Sequence, residues 1–230
     1  VLYRVHVSDD SQFPYDNMDS GWISNENYTT SELAEGVWYW RVQARDNAGN
    51  VGDNSASRSF RVDITSPPEP GLISPTDGEN LNDNTPTLDW SDVPDNSLPV
   101  TYGVQVDDDD NFSSPTLNVT VASSTYTTPE LAEGVWYWRA NARDNAGNMG
   151  AWSASRSFRV DITALSAPDL LMPENNAYES DPTPTFRWTE PDTPENYTLV
   201  IDNDADFSSP TQTITDITDN TYTLTTALPD

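Results

Sequence analysis

Closely spaced carboxylates are the residues of this sequence best suited to chemistry. They recur as DDDDNF at residues 107–112, as DNDADF at 202–207 and, with fewer acids, as SDDSQF at 8–13. Oxygen donors at alternate positions match the opening of a calcium-binding loop, because a hard cation gathers six to eight oxygens. The candidate ligands are Asp107, Asp109 and Asn111 in one loop and Asp202, Asp204 and Asp206 in another. The glycine and distal bidentate glutamate that complete a helix-flanked calcium loop are absent. The competing reading is a solvated turn, in which Asp and Asn side chains close on their own backbone. Calcium is therefore the one cofactor the sequence suggests, and none is required.

Other polar motifs are weaker. Asn27, Asn111, Asn118 and Asn196 each open an N-x-S/T sequon, which marks a glycan acceptor only in a secreted protein of a glycosylating host. The DNAGN segments at 46–50 and 144–148 read as hairpin turns using Asn and Gly for left-handed backbone angles. His6 is the only histidine, and no nucleophile elbow, phosphate loop or paired-histidine zinc motif is present. With 38 acids, adjacent carboxylates are unavoidable and identify no glycosidase pair. No enzyme activity is expected.

Composition narrows the partners. Ten arginines, no lysine and 38 carboxylates give a formal charge of −28. Such a surface repels nucleic acid phosphates and anionic lipid headgroups. There is no cysteine, so disulfides and thiolate metal sites are excluded. No run approaches the eighteen apolar residues of a membrane helix. Eight Trp and ten Tyr point to packed cores rather than disorder.

The elements that must carry these loops are legible through an internal repeat. Residues 31–65 return 98 residues later at 129–163, with 29 of 35 positions identical. TPTLDW at 85–90 recurs as TPTFRW at 183–188, and NFSSPT at 111 recurs as DFSSPT at 206. A period near a hundred residues is too long for a helical solenoid and suits a self-sufficient β-sandwich. The expected domains are a partial one at 1–65, a complete one at 66–163 and a partial one at 164–230. On this reading both ends cut through a domain, and the residues are a window on a longer chain.

Within the complete repeat, alternation predicts seven strands: A at 70–74, B at 85–91, C at 100–107, C′ at 116–122, E at 124–128, F at 135–143 and G at 155–162. The expected core is Leu88, Trp90, Tyr102, Val104, Val106, Trp136, Trp138, Ala140, Ala142, Phe158, Val160 and Ile162. Trp22 and Trp152 do not recur between repeats and stand out as the aromatics most apt to face a ligand.

The segment LAEGVWYWRANARDNAGN resembles strand F of fibronectin type III domains, and a strand-B tryptophan (Trp90, Trp188) fits that family. Trp38 and Trp136 stand where the family places its tyrosine-corner tyrosine. ARDNAGN and NDNTPTLDW are most similar to the fibronectin-like and bacterial Ig-like repeats of large prokaryotic surface proteins. The NDN at 82–84 resembles the calcium-binding linkers of cadherins, although it leads into a strand rather than joining domains. The resemblance implies an all-β, tandem array of seven-stranded Ig-like/fibronectin type III-like sandwiches. Short, proline-containing linkers favour a semi-rigid array in which each domain adds about 35–40 Å. The expected function is the stiff shaft of an extracellular adhesin, surface-layer component or filament, partnered by neighbouring repeats and identical subunits. The alternative is a set of spacer or binding modules in a secreted multidomain carbohydrate-active enzyme.

Overall fold

The computed structural model describes residues 1–190 and 195–228. Within the expected third domain, residues 191–194 and 229–230 lie outside the described residues. The chain divides into two compact units, Val1–Ile162 and Thr163–Asp230.

The first unit begins with β1 (Leu2–Ser8), β2 (Met18–Asp19), β3 (Gly36–Arg45) and β4 (Arg58–Val62), in one antiparallel sheet of order β2-β1-β3-β4. It continues through β5 (Leu72–Ser74), β6 (Glu79–Leu81), β7 (Thr87–Trp90), β8 (Thr101–Asp107), β9 (Leu117–Val121), β10 (Thr125–Thr127), β11 (Gly134–Arg143) and β12 (Arg156–Val160). These form two layers, β10-β7-β5 and β6-β12-β11-β8-β9. In sandwich terms the layers are A-B-E and C′-C-F-G, the fibronectin type III-like arrangement. β6 is the strand that periodicity missed. Three residues long, it pairs parallel to β12 and moves the chain from one layer to the other between β5 and β7.

The core follows from strand alternation, which sends every second side chain inward. Leu88, Trp90, Tyr102, Val104, Val106, Trp136, Trp138, Ala140, Ala142, Phe158 and Val160 are all buried in one cluster. Ile162 is the exception: it lies beyond the end of β12 and is 52% exposed. Trp90 meets Tyr102 edge-on, with ring centroids 5.6 Å apart at 66°. The corner before strand F is held by an indole rather than a phenol. Trp136 Nε1 donates to the Ala132 carbonyl at 2.9 Å, and Trp38 Nε1 to Ala34 at 2.8 Å.

The second unit repeats part of this plan. β13 (Leu170–Met172), β14 (Thr185–Trp188) and β17 (Thr221–Thr223) form one sheet, while β15 (Tyr197–Ile201) and β16 (Gln212–Ile217) form another. Trp188 is buried and meets Tyr197 at 5.2 Å and 67°, reproducing the Trp90–Tyr102 pair. No helix is long and apolar enough to cross a membrane among the described residues.

Candidate functional site

The acidic loops follow β1, β8 and β15 and share one backbone design. In each, the phenylalanine adopts a left-handed conformation, with φ of 51° at Phe13, 52° at Phe112 and 53° at Phe207. A bulky L-residue pays roughly 1–3 kcal/mol to sit there. Each Phe amide closes a turn onto the carbonyl three residues back: Asp10 at 3.1 Å, Asp109 at 3.3 Å and Asp204 at 3.2 Å. The side chains serve the same turns. Asp109 Oδ1 accepts from Asn111 N, Asn111 Oδ1 from Ser113 N, and Asp206 Oδ1 from Ser208 N. That bond from the Ser208 backbone holds the Asp206 carboxyl below its ordinary range. Asp107 is buried and Asp202 half-buried, each accepting from the next backbone amide. Asp202 Oδ2 is buried with no hydrogen-bond partner. Asp204 is exposed.

Two trios of potential metal ligands converge within 4.8 Å among the described residues, and neither includes these loop acids. One is Asp63, Asp95 and Asp144, which joins the end of β4 to the loops after β7 and β11. Sequence reasoning missed this trio because its members are 32 or more residues apart, and only tertiary contact unites them. The Ser97 hydroxyl donates to Asp63 Oδ2, Ser97 N to Asp95 Oδ1 at 2.6 Å, and Asn148 Nδ2 to the Asp63 carbonyl at 3.0 Å. Burial pushes Asp144 up, but hydrogen bonds from Asn148 and Gly147 outweigh it, and the carboxyl titrates below its ordinary value. Three carboxylates this close could hold a divalent cation; the hydrogen bonds already tie them to neutral partners.

The same contacts explain DNAGN. Asp144 closes the turn onto Asn148 N at 2.8 Å and Asn148 Nδ2 at 2.8 Å, and Asp46 does the same to Asn50 at 2.8 and 2.7 Å. Of these residues only Gly49 and Gly147 take positive φ, so the left-handed role expected of the asparagines falls to glycine alone. The NDN at 82–84 is likewise local: Asp83 Oδ1 accepts from Thr85 N at 2.8 Å and Thr85 Oγ1 at 2.9 Å.

The second trio is His6, Asp16 and Asp19. His6 Nδ1 lies 2.7 Å from Asp16 Oδ2, while its Nε2 is buried without a partner. The Arg4 side-chain hydrogen bond holds the Asp19 carboxyl down at about 2. The two non-recurring tryptophans are not free platforms. The Arg139 guanidinium lies over both Phe112 (4.2 Å) and Trp152 (4.8 Å), and Arg45 lies 4.7 Å over Trp22. Trp152 also lies 3.4 Å from where a Cβ on Gly103 would stand. All four sequon asparagines, Asn27, Asn111, Asn118 and Asn196, are exposed.

No protein-family model matches the chain, and no curated protein does. Solved structures do. Fibronectin(III)-like modules of CbhA from Clostridium thermocellum align over 69% of this chain and 77% of theirs, at 14% identity and a TM-score of 0.42. The FN1–FN3 domains of chicken CNTN1 align over 81% and 66%, at 13% identity and a TM-score of 0.36. An alpha-L-rhamnosidase from Dictyoglumus thermophilum aligns over 46% of this chain at 15% identity and a TM-score of 0.34, and this chain covers only 15% of its length.

Proposed function

We propose that these residues are a structural repeat region of an extracellular surface protein, forming the stiff shaft of an adhesin, surface-layer component or filament. The observation that supports this most is the bonded junction inside the first unit. Asp63 is tied to Ser97 and Asn148 of the next repeat, and a Cβ on Gly150 would stand 2.5 Å from the Pro67 carbonyl. A linker packed this tightly resists bending, which is the mechanical requirement of a shaft. Repeats 1–65, 66–163 and 164–230 are the units of that shaft, and the solvated carboxylates keep it soluble and apart from polyanions. Its partners are neighbouring repeats and identical subunits, and the exposed sequon asparagines would carry glycans where the host attaches them.

The test is a distance distribution between spin labels placed on exposed positions of residues 1–62 and 71–162. A narrow distribution that broadens in the Asp63→Ala/Asn148→Ala double variant is expected. A distribution already broad in the unaltered protein would overturn the shaft. A hydrolase domain encoded beside the repeats would favour the spacer of a secreted carbohydrate-active enzyme instead.

A further inference from the structure

A sheet edge offers unpaired backbone groups, so a strand there stays inert only when it is short, bent, charged or covered. Three edges of the complete repeat meet that need. β5, β6 and β10 are three residues each, and the register of β5 against β7 slips between Leu72 and Ser74. β9 has none of these protections. It ends the β6-β12-β11-β8-β9 sheet with five residues in unbroken register with β8. Among the described residues no strand pairs with its outer side. Its counterparts in the other repeats are blunted: β2 has two residues, and β16 has a register shift and a left-handed Asp216 at φ 59°.

Charge singles out the same strand. Residues 111–129 are nineteen in succession without a charged side chain, in a chain where 21% of residues are charged. β9 lies inside that run, with Asn118 and Thr120 exposed. On a molecule of charge −28, an uncharged edge is where a second such molecule can approach. The strand also complements itself. Turned end for end, LNVTV sets apolar positions against apolar and polar against polar.

We infer that β9 is the surface on which a second copy of this chain docks, antiparallel and edge to edge about a two-fold axis at Val119. Val119 then faces its own copy, Asn118 faces Thr120 of the second copy, and Leu117 faces Val121. Leu117, Val119 and Val121 are half-buried against the repeat's own core, and pairing covers more of their surface. Electrostatics selects the direction. The acids at 107–110 adjoin the Leu117 end of β9, where Leu117 pairs with Val106. Antiparallel pairing holds the two Leu117 residues about 14 Å apart along the strands, beyond the screening length of about 8 Å at 0.15 M salt. Parallel pairing would set the two acidic loops side by side. A five-residue edge is small against the roughly 1,200 Å² of a stable complex, so the contact is weak and reversible. Asn118 also opens an N-V-T sequon, and a glycan there would close the edge. The contact gives a surface to the identical-subunit partner proposed above and rests on that reading.

The test uses the unglycosylated 230-residue chain, concentrated from about 0.05 to about 1 mM in about 0.3 M salt. Sedimentation equilibrium reads mass, and amide chemical shifts read location. The weight-average mass should rise by about half or more, equivalent to a Kd of about 1 mM or tighter, with shift changes centred on residues 117–121. Asn118→Asp/Thr120→Asp sets carboxylate against carboxylate across the pair and should stay monomeric. Asn118→Asp/Thr120→Arg sets each carboxylate opposite a guanidinium in the antiparallel register alone, and should dimerise at least as well as the unaltered chain. Unchanged shifts around Trp138 report that the complete repeat remains folded in each variant. A chain still monomeric at about 1 mM, association that survives the double-Asp variant, or no recovery in the Asp/Arg variant overturns the inference. The spin-label distances across the Asp63 junction are read on dilute monomer, so the shaft and this contact can fail separately.

Discussion

Arg139 shows how a single side chain holds a strained loop. Its guanidinium donates twice to Gln105 Oε1, at 2.9 and 2.7 Å, and lies over Phe112 and Trp152. That stack anchors a phenylalanine at φ 52°. Lysine cannot reproduce the planar fork, so Arg139→Lys should destabilise the complete repeat by about 1–2 kcal/mol in a urea melt. The acidic loops invite a sharper test. Asx-turn chemistry uses one carboxylate oxygen as an acceptor, and asparagine supplies the same acceptor. Asp202→Asn/Asp204→Asn should therefore leave the melting temperature nearly unchanged, and millimolar calcium should leave the unaltered protein unchanged too. A calcium-dependent rise in Tm, abolished by that pair of substitutions, would instead establish a cation in the loop.

At the scale of elements, the corner before strand F depends on an N–H rather than an O–H. Trp136→Phe keeps most of the apolar volume and removes the donor to Ala132, so a part-buried hydrogen bond that holds the corner is lost. The expected loss is about 0.5–1.5 kcal/mol, and Trp38→Phe should act similarly on the first sheet. Tyrosine, whose hydroxyl hangs from a different ring, should not restore the bond; a full rescue by Trp136→Tyr would show that the indole is incidental. Core truncation should distinguish the two sheets. Trp138→Ala empties a site sealed by β7 and should cost roughly 3–5 kcal/mol, whereas Trp40→Ala, on an uncovered face, should cost much less.

For the whole molecule, charge sets the dependence on solution conditions. At −28, mutual repulsion among carboxylates opposes compaction. Raising salt shortens the screening length from about 10 Å at 0.1 M to about 3 Å at 1 M, so Tm should climb over that range. Acid acts in the opposite direction once repulsion is screened. Asp19 titrates at about 2 when folded, against an ordinary value of 3.8. A carboxyl whose folded pKa is depressed stabilises the fold fully above its unfolded pKa, and that contribution disappears as pH falls through the folded value. Asp46, Asp77, Asp144, Asp181 and Asp206 are shifted the same way. In 1 M salt, Tm should hold between pH 7 and 5 and drop between about pH 4 and 2. A Tm flat down to pH 2 would mean that these hydrogen bonds contribute nothing to stability.

Whatever has a short period or a long repeat was readable from the sequence alone. Alternation placed Trp136, Trp138, Ala140 and Ala142 inside, because a strand turns every second side chain to the same face. The 98-residue recurrence gave the repeat unit and, with it, the all-β sandwich. Tertiary structure decided what depends on neighbours distant in sequence. β6 is a strand only because β12 lies beside it. Trp22 and Trp152 looked unpartnered until the fold brought Arg45 and Arg139 against them. Asp63, Asp95 and Asp144 became a cluster only when three loops met at the junction. Periodicity specifies which way a side chain points; only the folded chain specifies what it meets there.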